Sequence, residues 1–247
     1  MKRLLVRLWI PALAVAVWEV VTRFEWLDPL FFPSPGLLIA TFWRLTRNGE
    51  LEHHVGATLG RLGGAYVVGS ATGVALGLIL GSQPFWRQSA QGVLSGLYAS
   101  PKLSFLPAFL VFFGIGNFSL LLPAAISCFV LMTMYSIDAA RAVKPNYVDL
   151  ARSCGADRRA LFFRVYLPAC LPNLFTGLRV GIGGALVIVV AAEMLGAPSG
   201  LGEFIWINGQ TLAVDKMYAG IVACALLGAG TNYLFERLER SLAPWVR

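Results

Sequence analysis

The sequence predicts an all-α polytopic membrane protein with six transmembrane helices, and three observations support that fold class. Only 13% of the 247 residues are charged and 57% are hydrophobic, whereas soluble domains carry about one quarter charged residues. Six apolar stretches approach the roughly 20 residues needed to cross the hydrocarbon core. These stretches are continuous rather than alternating, which favours helices over the strands of a β-barrel. The predicted spans are 8–23, 62–81, 91–113, 118–137, 172–195 and 217–235.

Lys and Arg residues between the spans predict the orientation, because cytoplasmic loops retain basic residues. With both termini in the cytoplasm (N-in, C-in), the inner segments hold 13 basic residues and the outer segments hold 5. The weak point is the outer segment 24–60, which is long and carries charges of both signs. The first span also has features of a signal peptide, since a basic start precedes a short alanine-rich apolar run. Its cleavage would leave five spans without changing the side of the later loops.

Charge and residue chemistry exclude several function classes. The net charge is +7, but the basic residues lie between apolar runs and do not form the patch with interleaved aromatics that is typical of nucleic-acid binding. The four cysteines lack CxxC spacing and the adjacent His53 and His54 have no nearby Cys, so we interpret them as buried thiols and surface imidazoles and predict no metal site. The sequence contains no G-x-x-x-x-G-K-[ST] phosphate loop and no nucleophile-base arrangement. We therefore predict neither an enzyme nor a cofactor bound by this chain.

Glycines at four-residue intervals predict a packing face on the second span. Small residues let helix backbones approach closely in a membrane, where lipid removes the hydrophobic drive between helices. We predict specific packing of this face, either within the subunit or across a dimer. The glycines are Gly69, Gly73, Gly77 and Gly81.

The longest predicted cytoplasmic connection, about 138–171, has the pattern of two short helices. Pro145 suits the first turn of one helix, Gly155 permits a break, and Asp157 suits the N-cap of a second helix. The second helix is expected to run over 158–166 and to end before Pro168. It should bury Leu161, Phe162, Val165 and Tyr166 and present Arg158, Arg159 and Arg164 to solvent or to a partner.

This connection resembles the EAA loop of binding-protein-dependent ABC importer permeases. The resemblance rests on Asp149-Leu150-Ala151, Gly155 and Val165-Tyr166-Leu167-Pro168, in the predicted connection between the third-last and second-last spans, where the family places its loop. Asp149, Leu150 and Val165 stand where the family usually has Glu, Ala and Ile, and each keeps charge or apolar character. The resemblance implies a coupling helix seated in a groove of a separate ATPase subunit, which holds ATP and Mg²⁺. The implied coupling residues are Asp149, Ala151, Gly155, Ala156, Arg158, Leu161, Phe162, Val165, Leu167 and Pro168.

Further motifs resemble the nitrate, sulfonate and taurine branch of these permeases and extend the resemblance over nearly the whole chain. They are Trp18-Glu19, Phe32-Pro33-Ser34-Pro35, Pro101-Lys102 through Leu106-Pro107 with Phe113-Gly114-Ile115-Gly116, Gly177-Leu178-Arg179, and Ala192-Glu193-Met194-Leu195-Gly196 with Gly200-Leu201-Gly202. The branch implies a small solute such as nitrate, a sulfonate or taurine, while close relatives carry vitamin precursors. The sequence does not choose among these solutes, because the binding protein largely sets selectivity in such importers.

Prolines and ionisable residues within the predicted spans are candidates for the translocation path. Pro101 and Pro107 are expected to bend the third span. Arg179, like Lys102, can instead extend its side chain toward the cytoplasm. Glu193 lies near the outer end of its helix, where it either faces the path or tethers the Gly-Pro loop that follows. No carboxylate pair appears at mid-membrane, which argues against proton or sodium coupling.

The sequence thus predicts an N-terminal helix and outer segment at 1–55, an importer transmembrane domain at 56–240 and a cytoplasmic tail at 241–247. The expected function is that of a permease subunit of an ATP-driven importer in the cell inner membrane. Its implied partners are an ATPase dimer, a second permease copy in a homodimer or heterodimer, and an extracytoplasmic binding protein. Two alternatives remain: an ion-coupled secondary carrier, which leaves the loop without a role, and a non-transporting scaffold, in which the loop docks a signalling partner.

Overall fold

The computed structural model describes residues 2–24 and 26–242, and at 2–8, 11, 158 and 242 it describes the backbone only. Every regular element within these residues is a helix, which confirms the predicted all-α class. A 3₁₀ turn at Lys102–Phe105 precedes α5, and a π-helical turn at Phe162–Tyr166 joins α8 to α9. The α-helices are α1 (Lys2–Arg23), α2 (Pro35–Arg47), α3 (Glu50–Gly81), α4 (Pro84–Ala99), α5 (Leu106–Phe113), α6 (Asn117–Ala142), α7 (Pro145–Ser153), α8 (Arg158–Leu161), α9 (Leu167–Gly196), α10 (Leu201–Gln210) and α11 (Val214–Leu242).

Several helices are long and apolar enough to cross a membrane. In the described part of the chain four meet this requirement, and a bent pair, α4 with Lys102–Phe113, adds a fifth if it is one broken span. The first predicted span, 8–23, falls on α1, where part of the side chains lies outside the described residues. The chain is thus a multi-pass membrane protein, and the count of six spans stays a prediction. The four helices are Glu50–Gly81, Asn117–Ala142, Arg159–Gly196 and Val214–Ser241.

The third predicted span, 91–113, is broken rather than continuous. α4 ends at Ala99 because Ser100 precedes Pro101 and takes extended backbone, as residues before proline tend to do. Pro107 lies in the first turn of α5, where no amide donor is needed. The two helical pieces are bent by 79°, so the expected bend is a full break at the residue before Pro101.

The chain divides into two compact units. The first comprises Met1–Thr58 and Glu193–Leu226, and the second comprises Leu59–Ala192 and Leu227–Arg247. The segment 24–60, expected as an outer connection, contains α2 and the first turns of α3.

The start of α2, in the first unit, brings together two of the sequence motifs. Ser34 is its N-cap, and the Ser34 hydroxyl accepts the Leu37 amide at 3.3 Å. The Glu19 carboxylate accepts the Gly36 amide, also at 3.3 Å. A carboxylate at a helix N-terminus satisfies an amide that has no partner within the helix. The Trp18-Glu19 and Phe32-Pro33-Ser34-Pro35 motifs therefore form one junction between α1 and α2.

In the second unit, the glycine face of α3 packs against the backbone of α6. A Cβ atom at Gly73 would lie 2.6 Å from the Phe129 carbonyl oxygen, and one at Gly77 would lie 2.5 Å from that of Thr133. One at Gly81 would lie 2.7 Å from the Ala140 Cβ. A Cβ atom at Gly69 would likewise clash with the Ala125 carbonyl oxygen. The two helices approach so closely along this face, within the subunit, that no side chain fits between them.

The core beside this face is built from α3, α6, α9 and α11. Its buried members include Leu62, Cys128, Ile182, Leu186 and Val189. These side chains are apolar, as expected where helices meet away from lipid and water.

Candidate functional site

The candidate functional site is the segment of the second unit that connects α6 to α9. α7 begins at Pro145, after extended backbone at Lys144, and ends at Ser153. Gly155 follows with φ +80°, a left-handed conformation that favours glycine. The Asp157 carboxylate then accepts the Ala160 amide at 2.7 Å and caps the start of α8. The structure therefore agrees with the roles expected for Pro145, Gly155 and Asp157.

The end of α7 is a Schellman motif. The Ala156 amide donates to the Ala151 carbonyl at 3.0 Å, and the Gly155 amide donates to the Arg152 carbonyl at 2.9 Å. This pair of bonds is the defining pattern of the motif, with glycine at the left-handed position. Ala151, Gly155 and Ala156 thus contribute backbone geometry. Asp149 lies one turn earlier, 3.8 Å from the exposed Arg152 guanidinium.

The second helix does not end before Pro168, which corrects the prediction from the sequence. A π-helical turn, Phe162–Tyr166, continues α8 into α9 without a break, and the Leu167 amide bonds to the Phe162 carbonyl. Proline lacks an amide hydrogen and crowds the carbonyl four residues earlier. The wider π turn lies immediately before Pro168, where it changes the hydrogen-bond pattern and lets the helix pass the proline.

The π turn also changes which side chains are buried. Leu161 is buried as expected, and Val165 and Tyr166 are half-buried. Phe162 is 41% exposed rather than buried, because the extra residue of a π turn displaces side chains from regular α spacing. Leu167 and Pro168 are half-buried, and the Arg158 side chain lies outside the described residues.

Four large apolar side chains of this segment are exposed, and we call them the exposed apolar set: Tyr147, Leu150, Phe162 and Phe163. The two phenylalanine rings pack edge to face, with centroids 5.1 Å apart. Charged groups lie among them, including Asp149, Arg152, Arg159 and Arg164. Exposed apolar groups rimmed by charge are typical of a protein interaction site.

A pocket of about 220 Å³ lies behind α8. Its walls come from the end of α3, the end of α6, the π turn and the start of α9, including Leu78, Ala140, Phe162, Tyr166 and Cys170. Leu161 projects into this space from α8. The pocket means that α8 is less tightly packed than the core of the unit, where voids of this size are uncommon.

Two polar contacts hold the early part of α9. The Tyr66 hydroxyl of α3 donates to the Leu178 carbonyl at 2.8 Å, and its ring packs on Phe235 of α11. Arg179 forms an ion pair with Glu239 of α11 at 3.6 Å. The sequence suggested that Arg179 extends toward water, and the structure adds an acidic partner 60 residues later in the chain.

Glu193 belongs to the first unit, where its carboxylate binds the loop after α9. The side chain is only 1% exposed. It accepts the Thr58 hydroxyl at 2.9 Å and the Gly202 amide at 3.0 Å. Gly200 has φ +130°, and a Cβ atom there would meet the carboxylate oxygens at 2.5 Å. This geometry favours the tethering alternative for Glu193.

Thr58 and His54 were not expected to take part in this network. The Thr58 hydroxyl also accepts the Leu201 amide at 2.8 Å, and the Gly200 amide donates to His54 Nδ1 at 3.1 Å. The His54 side chain is only 16% exposed, which corrects its interpretation as a surface imidazole. The sequence feature that could have linked His54 and Thr58 is their spacing, because residues four apart lie on one face of a helix, here α3.

The comparison with known families decides the class of the chain. A family model described as the inner membrane component of binding-protein-dependent transport systems matches residues 73–247. The chain belongs to this family. The match confirms the resemblance that the connection between α6 and α9 suggested.

Relatives and solved structures place the chain within this family. It is 30% identical to the taurine transport system permease protein TauC of Escherichia coli K12, with 95% of this chain and 87% of the relative covered. It is 29% identical to the putative aliphatic sulfonates transport permease protein SsuC of Bacillus subtilis 168, over 96% and 86%. It is 26% identical to the nitrate import permease protein NrtB of Synechocystis PCC 6803, over 95% and 89%. These relatives match the nitrate, sulfonate and taurine branch.

The fold is similar to that of a solved importer. A chain of the MetNI methionine ABC transporter in an inward-facing conformation superposes with a TM-score of 0.67 at 19% identity, covering 81% of this chain and 96% of that one. At this identity the likeness concerns the fold alone.

Proposed function

We propose that this chain is the permease subunit of an ABC importer in the cell inner membrane, and that it admits a small anionic or zwitterionic solute such as nitrate, a sulfonate or taurine. It crosses the membrane six times with both termini in the cytoplasm. A separate binding protein delivers the solute, and a separate ATPase binds ATP and Mg²⁺. The observation that carries the proposal is the Schellman-ended α7, followed by α8 and a π turn with exposed aromatic rings that continue directly into α9.

The mechanism follows from this continuity. α9 has 30 residues, so at about 1.5 Å per residue it extends about 45 Å from the π turn. A displacement of α8 by the ATPase therefore moves the start of a membrane-length helix. Rigid-body movement of helices around a central path is the usual form of alternating access. The pocket behind Leu161 gives α8 room for such a displacement.

The exposed apolar set is the proposed contact with the ATPase. Tyr147 and Leu150 come from α7, and Phe162 and Phe163 come from the π turn. Aromatic residues are enriched at protein interfaces, and Tyr is among the residues enriched in their hot spots. The surrounding arginines would steer an acidic rim of the ATPase groove into register.

The translocation path is proposed to run beside the break at Pro101 and Pro107, with a second permease copy completing it. Val111, Phe112 and Ile115 are strongly exposed at the end of α5 and in the turn that follows. Such a surface suits burial against a second copy of the chain. Arg179 and Glu193 serve this path indirectly, by positioning α9 and the loop after it.

The test uses co-purification and transport. The tagged permease is co-expressed with candidate ABC ATPases of its own organism, as wild type, as Phe163→Asp and as the control Asn146→Asp. Asn146 is exposed on α7 outside the apolar set. Phe163→Asp should lose the ATPase, because a charge replaces an apolar anchor, whereas Asn146→Asp should retain it.

Uptake of radiolabelled taurine, an alkanesulfonate and nitrate in proteoliposomes completes the test. Transport of one of them that requires the ATPase, its ATP and a binding protein supports the proposal. Uptake driven by an ion gradient without ATPase would identify a secondary carrier. A stable ATPase complex without transport of any small solute would indicate a scaffold.

A further inference from the structure

A groove in the first unit lies between α2 and α11. α2 is fixed to the start of α11 by polar contacts: the Thr41 hydroxyl donates to the Asp215 carboxylate at 3.0 Å, and Arg44 lies 3.5 Å from the same carboxylate. Lys216 pairs with Glu50 at 3.0 Å. These contacts hold the charged end of the two helices together and leave the apolar end open.

The open end is an apolar groove of about 270 Å³. Its lining includes Ile39, Phe42 and Trp43 from α2 and Ala219, Val222 and Leu226 from α11. The three α11 residues are spaced so that they share one face of the helix. They extend about 10 Å along it. Trp43 and Ile39 stay largely exposed beside the groove, so the protein itself leaves the groove unfilled.

A cation lies at the charged end of the groove. The Arg47 guanidinium stacks over the Trp43 ring, 5.2 Å from its centroid. Within the described residues, no carboxylate lies within 4 Å of Arg47. The neighbouring Arg44 pairs with Asp215, and its side chain is still 59% exposed. The guanidinium group binds phosphate well because its planar donors match the phosphate oxygens.

Together these features place a cation at one end of an apolar groove that runs along α11. Asp215 stands one turn before Ala219, so the charged end coincides with the start of α11 and the groove extends toward its middle. Trp43 lies at the junction, and tryptophan is typical of the membrane–water interface.

We infer that the groove between α2 and α11 binds a phospholipid, with an acyl chain against Val222 and Leu226 and the phosphate at Arg47. The apolar lining named above and the cation at one end match the two parts of a phospholipid, an acyl chain and a phosphate group. The inference concerns a lipid site on the subunit and does not depend on the transported solute.

The test measures lipid binding to the full chain in detergent. The delipidated protein is titrated with phosphatidylglycerol, and bound lipid is counted by native mass spectrometry. Arg47→Gln should weaken one binding event about tenfold, the effect of losing roughly one charge-assisted contact. Val222→Phe should weaken the same event by filling the groove. The controls are Arg23→Gln and Val20→Phe on α1, which change exposed residues of the same unit and should leave binding unchanged.

The remaining arms separate a lipid from a free anion and from misfolding. Inorganic phosphate at millimolar concentration should not displace the lipid, and its binding with equal affinity would overturn the assignment of an acyl chain to the groove. Arg47→Lys keeps the charge without the planar donors, so its affinity for the lipid should fall between those of the wild type and Arg47→Gln, and it remains informative even if Arg47→Gln is poorly folded. Unchanged lipid binding in both Arg47→Gln and Val222→Phe refutes the inference.

Discussion

The close approach of α3 and α6 predicts that one added methyl group destabilises the protein. In Gly73→Ala the new Cβ would begin 2.6 Å from the Phe129 carbonyl oxygen, against about 3.4 Å for an ordinary contact, so about 0.8 Å must be opened. The obstacle is backbone of a packed helix, and overpacking of this kind costs about 1–3 kcal/mol. Alanine offsets part of this cost through its helix propensity, by up to about 1 kcal/mol.

The matched control is Gly63→Ala on the same helix, where a Cβ would meet nothing within 4 Å. Gly63→Ala should be neutral or stabilise by up to about 1 kcal/mol. Because the propensity gain is common to both variants, Gly73→Ala should be less stable than Gly63→Ala by the overpacking cost of about 1–3 kcal/mol, which corresponds to a Tm lower by about 2–12 °C for a chain of this size. Thermal unfolding in detergent, followed by intrinsic fluorescence, compares the two. Equal Tm values for Gly73→Ala and Gly63→Ala would refute the argument from close packing.

Three further predictions concern named contacts. Gly155→Ala should strain the left-handed turn by about 1–2 kcal/mol and reduce ATPase co-purification; unchanged recovery of the complex would contradict a role of this turn in docking. Tyr66→Phe should cost about 1 kcal/mol in the free energy of unfolding by removing the hydrogen bond from the Tyr66 hydroxyl to the Leu178 carbonyl, and an unchanged Tm would show that this bond does not stabilise the protein. Thr58→Val should speed hydrogen exchange at 200–202, because the buried Glu193 loses a donor; the loop is held elsewhere if exchange there stays at the wild-type rate.

Local chemistry made part of the connecting segment predictable from the sequence. Pro145, Gly155 and Asp157 each act within a few residues of their own position, through a helix start, a left-handed turn and an N-cap. The continuation through Pro168 was not predictable in this way, because proline by itself predicts a helix end. The π turn that accommodates it has no comparable residue signature, and it also moved Phe162 from the expected buried face to the surface.

Long-range contacts explain the other differences. Glu193 and Thr58 are 135 residues apart in the chain, and no spacing rule connects them. The same holds for Arg179 and Glu239. A single sequence shows that such groups are ionisable or polar and lie in apolar surroundings, and it does not show which partner satisfies them. The break at Pro101 was expected as a bend, but its size depends on how α5 packs on α6.

The unbroken path from α8 into α9 has a consequence for insertions and deletions. Each residue of an α-helix adds about 100° of rotation and 1.5 Å of rise, so one residue inserted between Tyr166 and Pro172 would turn Phe163 by more than a quarter circle relative to Tyr66 and Glu239. An insertion of four residues, close to one full turn, would nearly restore the angle and add about 6 Å of length. The rotation of the exposed end of this helix is therefore fixed by that of its packed end. Insertions or deletions in this stretch should be tolerated only when their length is close to a whole number of helical turns.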